Sequence, residues 1–320
     1  MMGRTMDFDT LIRDSIGFWR IWTYTAGRRI LQRLPATERE LGKQVKPGPL
    51  KVWLDAAQAL GLVVRKRGVV AEAPGVRRLL ADRTHPDYLG GHLLYGAIRS
   101  LDYDGLEGYL RTGRTLHHLR RPRRNLAVQE ATEWDHVMFL RKLPENVFRR
   151  LRRGCDVLEL GCGTGQWLRR MRAEFRKSRF RGCDPDPEAA RQAKAEVGWA
   201  ERFGDSASAD MVYLGEVLHL TDRQRALANC ARVLRPGGWL IVLEGFMPER
   251  VSRKPLEAML FAMQLDQAFQ GVRFMRRSEL CLPSEFGPVK FVTLGGCVAI
   301  AVASKKVTRV PRVRKVAKGK

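Results

Sequence analysis

The strongest constraint on the fold is a glycine-rich break at residues 156–168, which read Asp-Val-Leu-Glu-Leu-Gly-Cys-Gly-Thr-Gly-Gln-Trp-Leu. An apolar run of strand length leads into Gly161, Gly163 and Gly165, and a helical pattern follows. Glycine allows positive φ angles and a close approach of backbone to ligand, and a helix start offers unpaired N–H groups. The pattern predicts a strand, a glycine loop and a helix whose N-terminus binds a nucleotide-like cofactor. A plain tight turn is the alternative.

An acidic residue after the next predicted strand supports the cofactor interpretation. Asp184 stands 23 residues after Gly161, close to the spacing at which a carboxylate meets the hydroxyls of a cofactor ribose. A carboxylate accepts both hydrogens of a ribose diol and repels a 2′-phosphate. Capping of the helix that starts near Pro185 is the alternative role for Asp184.

The first third of the chain predicts a helical domain. Aromatic and aliphatic residues recur at helical spacing over residues 18–34, and Pro35 stops the pattern. Thr37 and Glu40 then have the spacing of a capping box, in which hydroxyl and carboxylate each accept from an otherwise unpaired backbone N–H.

A further helix and a hairpin complete the order of elements of a winged helix. The helix ends at Gly61, and residues 62–65 and 69–72 predict two short strands. The outward positions of the helix include one cation, Lys51, and one anion, Asp55, where a reader of the DNA major groove carries several cations or amides. Packing or dimerisation is therefore favoured over groove reading.

Composition limits the class of protein. The chain has 320 residues, 44% of them hydrophobic, which is enough for two domains. No apolar run reaches the roughly 20 residues that span a bilayer, so we expect a cytoplasmic protein without membrane insertion. The six cysteines form no Cys-x-x-Cys pair and predict buried thiols rather than disulfides or zinc ligands.

The net charge of +24 is unevenly distributed. The last sixteen residues hold eight lysines or arginines and no acid, which leaves +16 for the other 304. We predict that residues 305–320 form a basic disordered tail. A tether for nucleic acid or acidic lipid headgroups is the alternative interpretation.

Alternating strand and helix patterns predict a doubly wound parallel sheet in the second part of the chain. Residues 291–294 and 298–303 flank Gly295-Gly296 with no room for a crossover helix, so the last two strands must be antiparallel. A basic segment at residues 120–124, taken as a solvated linker, places the domain boundary. The predicted domains are residues 1–120, residues 121–304 and the tail.

Three segments together resemble the class I S-adenosylmethionine-dependent methyltransferases. They are Glu-Leu-Gly-Cys-Gly-Thr-Gly at residues 159–165, Asp184-Pro185, and Arg-Val-Leu-Arg-Pro-Gly-Gly at residues 232–238. The resemblance covers about residues 126–305 and implies an α/β fold. Its doubly wound, mostly parallel seven-stranded sheet would have an antiparallel last strand and would follow a helical, winged-helix-like domain.

The first half of the chain resembles a more specific group within these methyltransferases. Residues 37–72 resemble the winged-helix dimerisation module of small-molecule O-methyltransferases, and a Leu-x-x-x-Leu-Arg-x-Gly segment at residues 106–113 is similar to one that precedes their catalytic domain. This implies a homodimer through the N-terminal domain.

The resemblance also implies a cofactor site for S-adenosylmethionine. Glu159 and the three glycines would hold the amino-acid end of the cofactor, Asp184 the ribose, and Asp205 the adenine. No metal is expected. The cofactor-binding positions implied are Glu159, Gly161, Cys162, Gly163, Gly165, Asp184, Pro185, Asp205 and Glu216.

Two residues match the catalytic pair of the family. His219 matches the general base, and Glu244, at the end of the fifth strand, matches a carboxylate that orients the base. The sulfonium methyl is already activated, so the protein must align a nucleophile and remove its proton. The implied activity is methyl transfer to a hydroxyl of a phenolic or polyketide-like small molecule. His219 is followed by Leu-Thr-Asp where the family has Asp-Trp, so a packing role for His219 stays open.

Two other functions stay open. A methyltransferase acting on RNA or another macromolecule fits the basic surface and tail, although residues 214–217 lack the Asn/Asp-Pro-Pro-Tyr motif that receives an exocyclic amine. A non-enzymatic regulator that keeps the cofactor fold is the third.

The acceptor pocket is predicted to involve residues 247–274. Its candidate lining residues are Met259, Phe261, Met263 and Phe269. Their helical spacing also fits ordinary core or dimer contacts.

Overall fold

The chain divides into two units, residues 1–141 and residues 142–320. The computed structural model describes residues 7–100, 104–115 and 122–307. Within these ranges no helix is both long enough and apolar enough to cross a membrane. Most of the predicted basic tail, and the position after residue 120 where the sequence placed the domain boundary, lie outside the described residues.

The first unit is mainly helical and carries one small antiparallel sheet with the strand order β1-β3-β2. A π-helical turn spans Arg77–Ala81. The helices are α1 (Phe8–Leu31), α2 (Glu38–Leu41), α3 (Pro47–Ala59), α4 (Gly90–Arg99), α5 (Asp104–Thr112), α6 (Pro122–Ala131) and α7 (Glu133–Lys142), and the strands are β1 (Ala36–Thr37), β2 (Val63–Lys66) and β3 (Val69–Glu72).

Local sequence explains the start of this unit. The capping box is confirmed, because Glu40 N–H donates to Thr37 Oγ1 and Thr37 N–H donates to Glu40 Oε2. The predicted order of helices followed by a hairpin is also found. The sequence missed strand β1, whose two residues pair with Val69 and Val70, because two residues are too few to show an alternating pattern.

A close contact fixes α1 against α3. The indole N–H of Trp53 donates to the Thr23 carbonyl, and a Cβ atom at Gly27 would lie 1.9 Å from the Trp53 ring. Glycine is therefore needed at position 27 for packing. Leu31, Leu54 and Val70 complete a buried core beside this contact.

Helix α6 belongs to the first unit by its packing, whereas the sequence placed residues from 121 onward in the second domain. A Cβ atom at Gly91 in α4 would lie 1.8 Å from the Glu130 carbonyl oxygen in α6, so the two backbones touch. The Glu130 carboxylate also forms an ion pair with Arg28 at 2.8 Å. Such a long-range backbone approach leaves no trace in local sequence patterns.

The second unit contains one seven-stranded sheet in the order β6-β5-β4-β7-β8-β10-β9. Short 3₁₀ turns span Leu218–Leu220 and Arg277–Glu279. The strands are β4 (Asp156–Leu160), β5 (Arg179–Asp184), β6 (Glu196–Val197), β7 (Ala209–Gly215), β8 (Leu234–Gly245), β9 (Lys290–Gly295) and β10 (Val298–Ser304), and the helices are α8 (Glu145–Arg153), α9 (Gln166–Glu174), α10 (Pro187–Ala193), α11 (Arg223–Val233) and α12 (Pro255–Phe269).

The strand directions confirm the predicted fold class. Strands β4 to β8 pair in parallel, and β10 is antiparallel to both β8 and β9. The sequence pattern of residues 187–197 predicts a helix, but α10 ends at Ala193 because Lys194 adopts a left-handed backbone; the pattern of residues 239–243 predicts the fifth strand, but β8 begins five residues earlier, at Leu234. The two-residue strand β6 was not predicted.

Parallel pairing aligns the strand ends. The carboxyl ends of β4, β5, β7 and β8, at Leu160, Asp184, Gly215 and Gly245, form what we call the carboxyl edge. Their starts, at Asp156, Arg179, Ala209 and Leu234, form the amino edge. Ligands of open α/β sheets bind at the carboxyl edge.

Burial of the cysteines follows the prediction in part. Five cysteines are buried within the apolar layers, and Cys281 is exposed. Burial raises the pKa of the Cys183 thiol to about 12, so this thiol is protonated at neutral pH and packs as a small apolar group.

Substitution of Gly27 by alanine should destabilise the first unit. The added methyl group overlaps the Trp53 ring, and overpacking of this kind costs about 1–3 kcal/mol. Gly17 in the same helix is the matched control, because a Cβ there meets nothing within 4 Å and alanine gains roughly 0.5–1 kcal/mol in a helix. Urea unfolding of the full chain, followed by tryptophan fluorescence, measures both changes. Equal shifts in the two variants would contradict the Gly27–Trp53 contact.

Candidate active site

The glycine loop lies at the carboxyl edge between β4 and α9. Gly161, Gly163 and Gly165 have φ angles of 77°, 52° and 80°, which only glycine adopts without strain. A Cβ at Gly161 would meet Val217 at 2.6 Å and one at Gly165 would meet Ala193 at 2.6 Å, whereas one at Gly163 would meet nothing within 4 Å. Two of the glycines thus allow close packing, and the third leaves an open face for a ligand.

Hydrogen bonds fasten the loop to the end of β5. The backbone N–H groups of Gly161 and Cys162 both donate to the Cys183 carbonyl at 2.8 Å. Asp184 accepts from Gly163 N–H at 2.8 Å and from Asp186 N–H at 2.9 Å. The Asp184 carboxylate is therefore oriented by backbone donors beside the loop, and Pro185 follows it directly.

Glu159 is a buried acid beneath the loop. Burial, together with the nearby Asp184 carboxylate, raises the pKa of Glu159 well above its ordinary value of 4.5. Its Oε2 atom accepts no hydrogen bond from any described residue, and the same is true of the Thr164 hydroxyl in the loop. These groups suit a cofactor whose ammonium group supplies donors and positive charge, as the amino-acid end of S-adenosylmethionine does.

His219 and Glu244 form a buried pair at the same edge. His219 Nδ1 lies 2.8 Å from Glu244 Oε2, and Glu244 Oε1 accepts from Leu218 N–H at 2.6 Å. Glu244 is completely buried at the end of β8, and the His219 side chain is 5% exposed. A hydrogen bond from Nδ1–H to the Glu244 carboxylate would leave Nε2 as the basic nitrogen.

Glu216 approaches the same imidazole. Its Oε2 atom lies 3.9 Å from His219 Nδ1, and its backbone has a φ of 55° in the left-handed region, which costs free energy in a residue other than glycine. Ligand atoms of Glu216, His219 and Glu244 all lie within 4.8 Å of one another. Both oxygens of Glu244 already accept hydrogen bonds, so the arrangement fits an oriented base better than a set of metal ligands.

The predicted acceptor segment reaches this pair. The Phe274 ring lies 4.9 Å from the His219 ring, centroid to centroid. Phe274 packs with Leu260 and Cys297 in a small buried cluster, against which Met263 lies partly buried. Of the other candidates, Phe269 is buried, Phe261 is half-buried and Met259 is exposed.

The structure does not bring Asp205 to this group. The segment around Asp205 lies beside the last turn of α11, where Ala207 N–H donates to the Arg232 carbonyl, and it leads into β7 at the amino edge. The Asp205 side chain is exposed.

Sequence reasoning missed Trp199, which lies shortly after β6 at the carboxyl edge. Gly198 N–H donates to the Asp184 carbonyl, so Trp199 follows at the carboxyl edge, and its side chain is 51% exposed. The only sequence feature that could have indicated it was the dipeptide Gly-Trp. Because β6 is too short to be predicted, the position of this dipeptide relative to the sheet could not be inferred.

Comparisons with known proteins agree with this geometry. Residues 158–242 match the family model described as a methyltransferase domain. The malonyl-(acyl-carrier protein) O-methyltransferase of Hahella chejuensis is 32% identical over 125 residues, which cover 35% of this chain and 45% of that protein. The chain thus spans less than half the length of the curated relatives it matches.

Solved structures resemble the chain over nearly its whole length. Human N-acetylserotonin methyltransferase, crystallised with S-adenosylmethionine, has a TM-score of 0.69 at 17% identity, covering 96% of this chain and 100% of that one. The mitomycin 7-O-methyltransferase MmcR has a TM-score of 0.62 at 17% identity, covering 93% and 97%. The chain therefore has the fold of these methyltransferases, and the family match lies within its second unit.

The raised pKa of Glu159 predicts a pH-dependent loss of stability. The folded chain keeps a proton on Glu159 that the unfolded chain releases above its ordinary pKa of 4.5. The free energy of unfolding should therefore fall as pH rises from that value through the raised pKa. Glu159→Gln, which stays neutral, should lack this component. Urea unfolding of both proteins between pH 5 and 8 measures the difference, and pH profiles that run parallel would contradict it.

Proposed function

We propose that this chain transfers a methyl group from S-adenosylmethionine to a hydroxyl of a small molecule, with His219 as general base. The observation that carries the proposal is the buried His219–Glu244 pair at the carboxyl edge, on the same edge as the glycine loop. The methyltransferase domain match supports the cofactor, and the two small-molecule methyltransferases with the same fold support the acceptor class.

The cofactor would lie along the glycine loop, and the charge and hydrogen-bonding groups of the neighbouring residues indicate which part of the cofactor each of them would contact. The ammonium group would meet Glu159, whose buried Oε2 atom accepts no hydrogen bond from the described residues. The ribose hydroxyls would bind Asp184, and the open face of Gly163 leaves room for the backbone to approach the ligand. In place of Asp205, the half-exposed indole of Trp199 would contact the adenine, since aromatic rings stack on bases.

When bound, S-adenosylmethionine supplies an activated methyl group on a sulfonium. The protein then has to hold the acceptor oxygen in line and remove its proton. His219 Nε2 takes the proton, and the Glu244 carboxylate stabilises the imidazolium that forms. The hydrogen bond from Leu218 N–H to Glu244 holds the carboxylate in place, so proton removal requires no rearrangement of the base.

The acceptor is proposed to be an aromatic or polyketide-like hydroxyl compound. Phe274 beside His219, with Met263 in the adjoining cluster, offers a flat and a flexible apolar surface. Ionisation of a phenol needs only a modest base, which an imidazole provides near neutral pH.

Loss of the base should lower turnover without affecting cofactor binding. His219→Ala should reduce kcat by about 10²–10⁴-fold, the usual contribution of a general base, while the affinity for S-adenosylmethionine in calorimetric titration stays within about twofold because His219 does not hold the cofactor. Transfer of labelled methyl to a panel of phenolic and polyketide hydroxyls measures kcat. His85→Ala, at a half-buried histidine of the first unit, is the control.

Two outcomes separate the parts of this proposal. Cofactor binding with unchanged turnover in His219→Ala would remove His219 from the mechanism and leave the methyltransferase activity standing. No binding of S-adenosylmethionine by the unaltered chain would overturn the activity itself and favour a non-enzymatic regulator.

We also propose that the chain is a homodimer through the first unit. Helix α1 exposes a continuous apolar face, and a face of this size is unusual on a monomer. Its residues recur at helical spacing: Phe8, Leu11, Ile12, Ile16, Trp19 and Trp22. The resemblance of residues 37–72 to a dimerisation module supports a second copy of this chain as the partner.

Disruption of this face should produce a monomer. The unaltered chain is expected to have twice the mass of one chain by light scattering, and Trp19→Glu with Trp22→Glu should halve that mass because two buried charges would be unpaired in the interface. Val251→Glu, at an exposed apolar residue of the second unit, is the matched control and should stay dimeric. A monomeric mass for the unaltered chain would refute the proposal.

A further inference from the structure

The amino edge of the sheet, opposite the proposed active site, is strongly basic. Eight cations lie there, on the last turn of α8, on the segment between α9 and β5, or at the starts of β5 and β8. We call this set the basic edge. Its members are Arg150, Arg152, Arg153, Arg176, Lys177, Arg179, Arg181 and Arg235.

Hydrogen bonds and ion pairs join these residues into one surface. Ser178 Oγ donates to the Leu151 carbonyl, which ties the segment between α9 and β5 to the end of α8. Asp156 pairs with Arg179 at 2.6 Å and with Arg235 at 3.0 Å. The basic edge is therefore continuous across β5, β4, β7 and β8, which spans on the order of 15 Å.

The cations outnumber their acidic partners. A second carboxylate, Asp210, pairs with Arg150 and Arg235, and Glu174 pairs with Arg152. The other four cations form no ion pair with any residue in the described ranges, and all four are exposed. They are Arg153, Arg176, Lys177 and Arg181. The basic edge thus presents several positive charges that the fold itself does not neutralise.

A cavity opens within the basic edge. Its volume is about 280 Å³, and Arg179, Arg181 and Ser208 line it together with Asp156. The Arg179 side chain is 83% exposed at its mouth. Arg179 is paired with Asp156 and the Ser208 hydroxyl donates to the Asp205 carbonyl, whereas the Arg181 guanidinium can bind the oxygens of a phosphate through paired N–H groups.

The chemistry of the edge favours nucleic acid over protein or membrane. Seven of its eight cations are arginine, and none of the exposed large apolar residues lies within residues 150–156, 174–181 or 206–210, although Val307 is exposed beside Gly237. Protein interfaces usually contain an apolar or aromatic centre, and amphipathic membrane-surface helices insert apolar side chains, neither of which these cations supply. A phosphodiester backbone needs only positive charge and N–H donors.

The chain beyond the described residues adds charge of the same sign. Val307 lies beside Gly237, where a Cβ would be 3.5 Å from the valine, so the last described residue lies at this edge. Residues 308–320 contain six further lysines or arginines and no acid.

We propose that the basic edge binds the phosphodiester backbone of RNA or DNA and holds it apart from the site of methyl transfer. Three of the strands between the two edges, β4, β5 and β7, are five to seven residues long, about 16–23 Å. Nucleic acid bound at the amino edge is therefore a tether and not the methyl acceptor. This proposal does not depend on the small-molecule activity.

Neutralisation of the four unpaired cations tests the location of binding. The variant carries Arg153→Gln, Arg176→Gln, Lys177→Gln and Arg181→Gln, which break no ion pair among the described residues. The control carries Arg29→Gln, Arg33→Gln, Arg250→Gln and Arg253→Gln, which change the net charge equally at other exposed positions. Fluorescence anisotropy of the full chain with labelled 20-nucleotide single-stranded RNA and 20-base-pair DNA, at 50–300 mM salt, measures affinity.

The basic-edge variant should lose at least tenfold in affinity at 150 mM salt, while the control stays within about threefold. The slope of log affinity against log salt should flatten by about 3, since each lost phosphate contact removes roughly 0.7–0.9. Whichever nucleic acid binds more tightly identifies the source of the phosphodiester. Equal losses in both variants would overturn the proposal, because binding would then follow net charge alone.

Two further measurements can also overturn it. Tighter binding to phosphatidylserine vesicles or to polyglutamate than to either nucleic acid would assign the basic edge to a membrane or to an acidic protein. Incorporation of labelled methyl into the RNA would show that nucleic acid reaches the carboxyl edge. Saturation with S-adenosylmethionine should leave nucleic acid affinity unchanged.

Discussion

The parallel register of β5, β4, β7 and β8 is the constraint on which the rest of the second unit depends. Strands β4 and β7 are buried on both faces, so most of their residues are apolar, whereas β5 alternates the exposed Arg179 and Arg181 with buried residues. Pairing of Leu160 with Cys183 and of Gly215 with Leu243 brings the carboxyl ends to one line. Every polar group of the proposed site is carried by a residue at that line or within a few residues of it.

Burial at this line has an electrostatic cost that the fold offsets locally. A fully buried carboxylate such as Glu244 is stable only when its oxygens accept hydrogen bonds. Leu218 N–H and His219 meet that need in the protein itself. The Oε2 atom of Glu159 accepts no hydrogen bond from the described residues, and burial beside the Asp184 carboxylate raises the pKa of Glu159. Glu244 is thus complete within the fold, whereas under the proposed function Glu159 would gain its partner from the ammonium group of the cofactor.

Sequence reasoning found the features that local chemistry determines. The glycine loop, Asp184 and the reversed final strand pair each follow from residues near one another in the chain, because positive φ angles and short connections restrict the backbone. His219 and Glu244 were paired through the resemblance alone, since 25 residues separate them and only the register of β7 with β8 joins them.

Sequence reasoning failed where position depends on elements too short or too distant to be detected. Strand β6 has two residues, so the position of Trp199 at the carboxyl edge could not be found, whereas the resemblance implied Asp205 for the adenine contact. The assignment of α6 to the first unit depends on the backbone contact of Gly91 with Glu130. A glycine in one helix and a carbonyl in another carry no shared pattern.

The two edges of the sheet also explain how a chain of net charge +24 accommodates a cationic cofactor. The carboxyl edge gathers Glu159, Asp184, Glu216 and Glu244, whereas the eight members of the basic edge lie at the other ends of the same strands. Charges separated by more than a Debye length, about 8 Å in physiological salt, hardly interact through solvent. The length of the strands therefore lets one small sheet attract cations at one end and phosphate at the other.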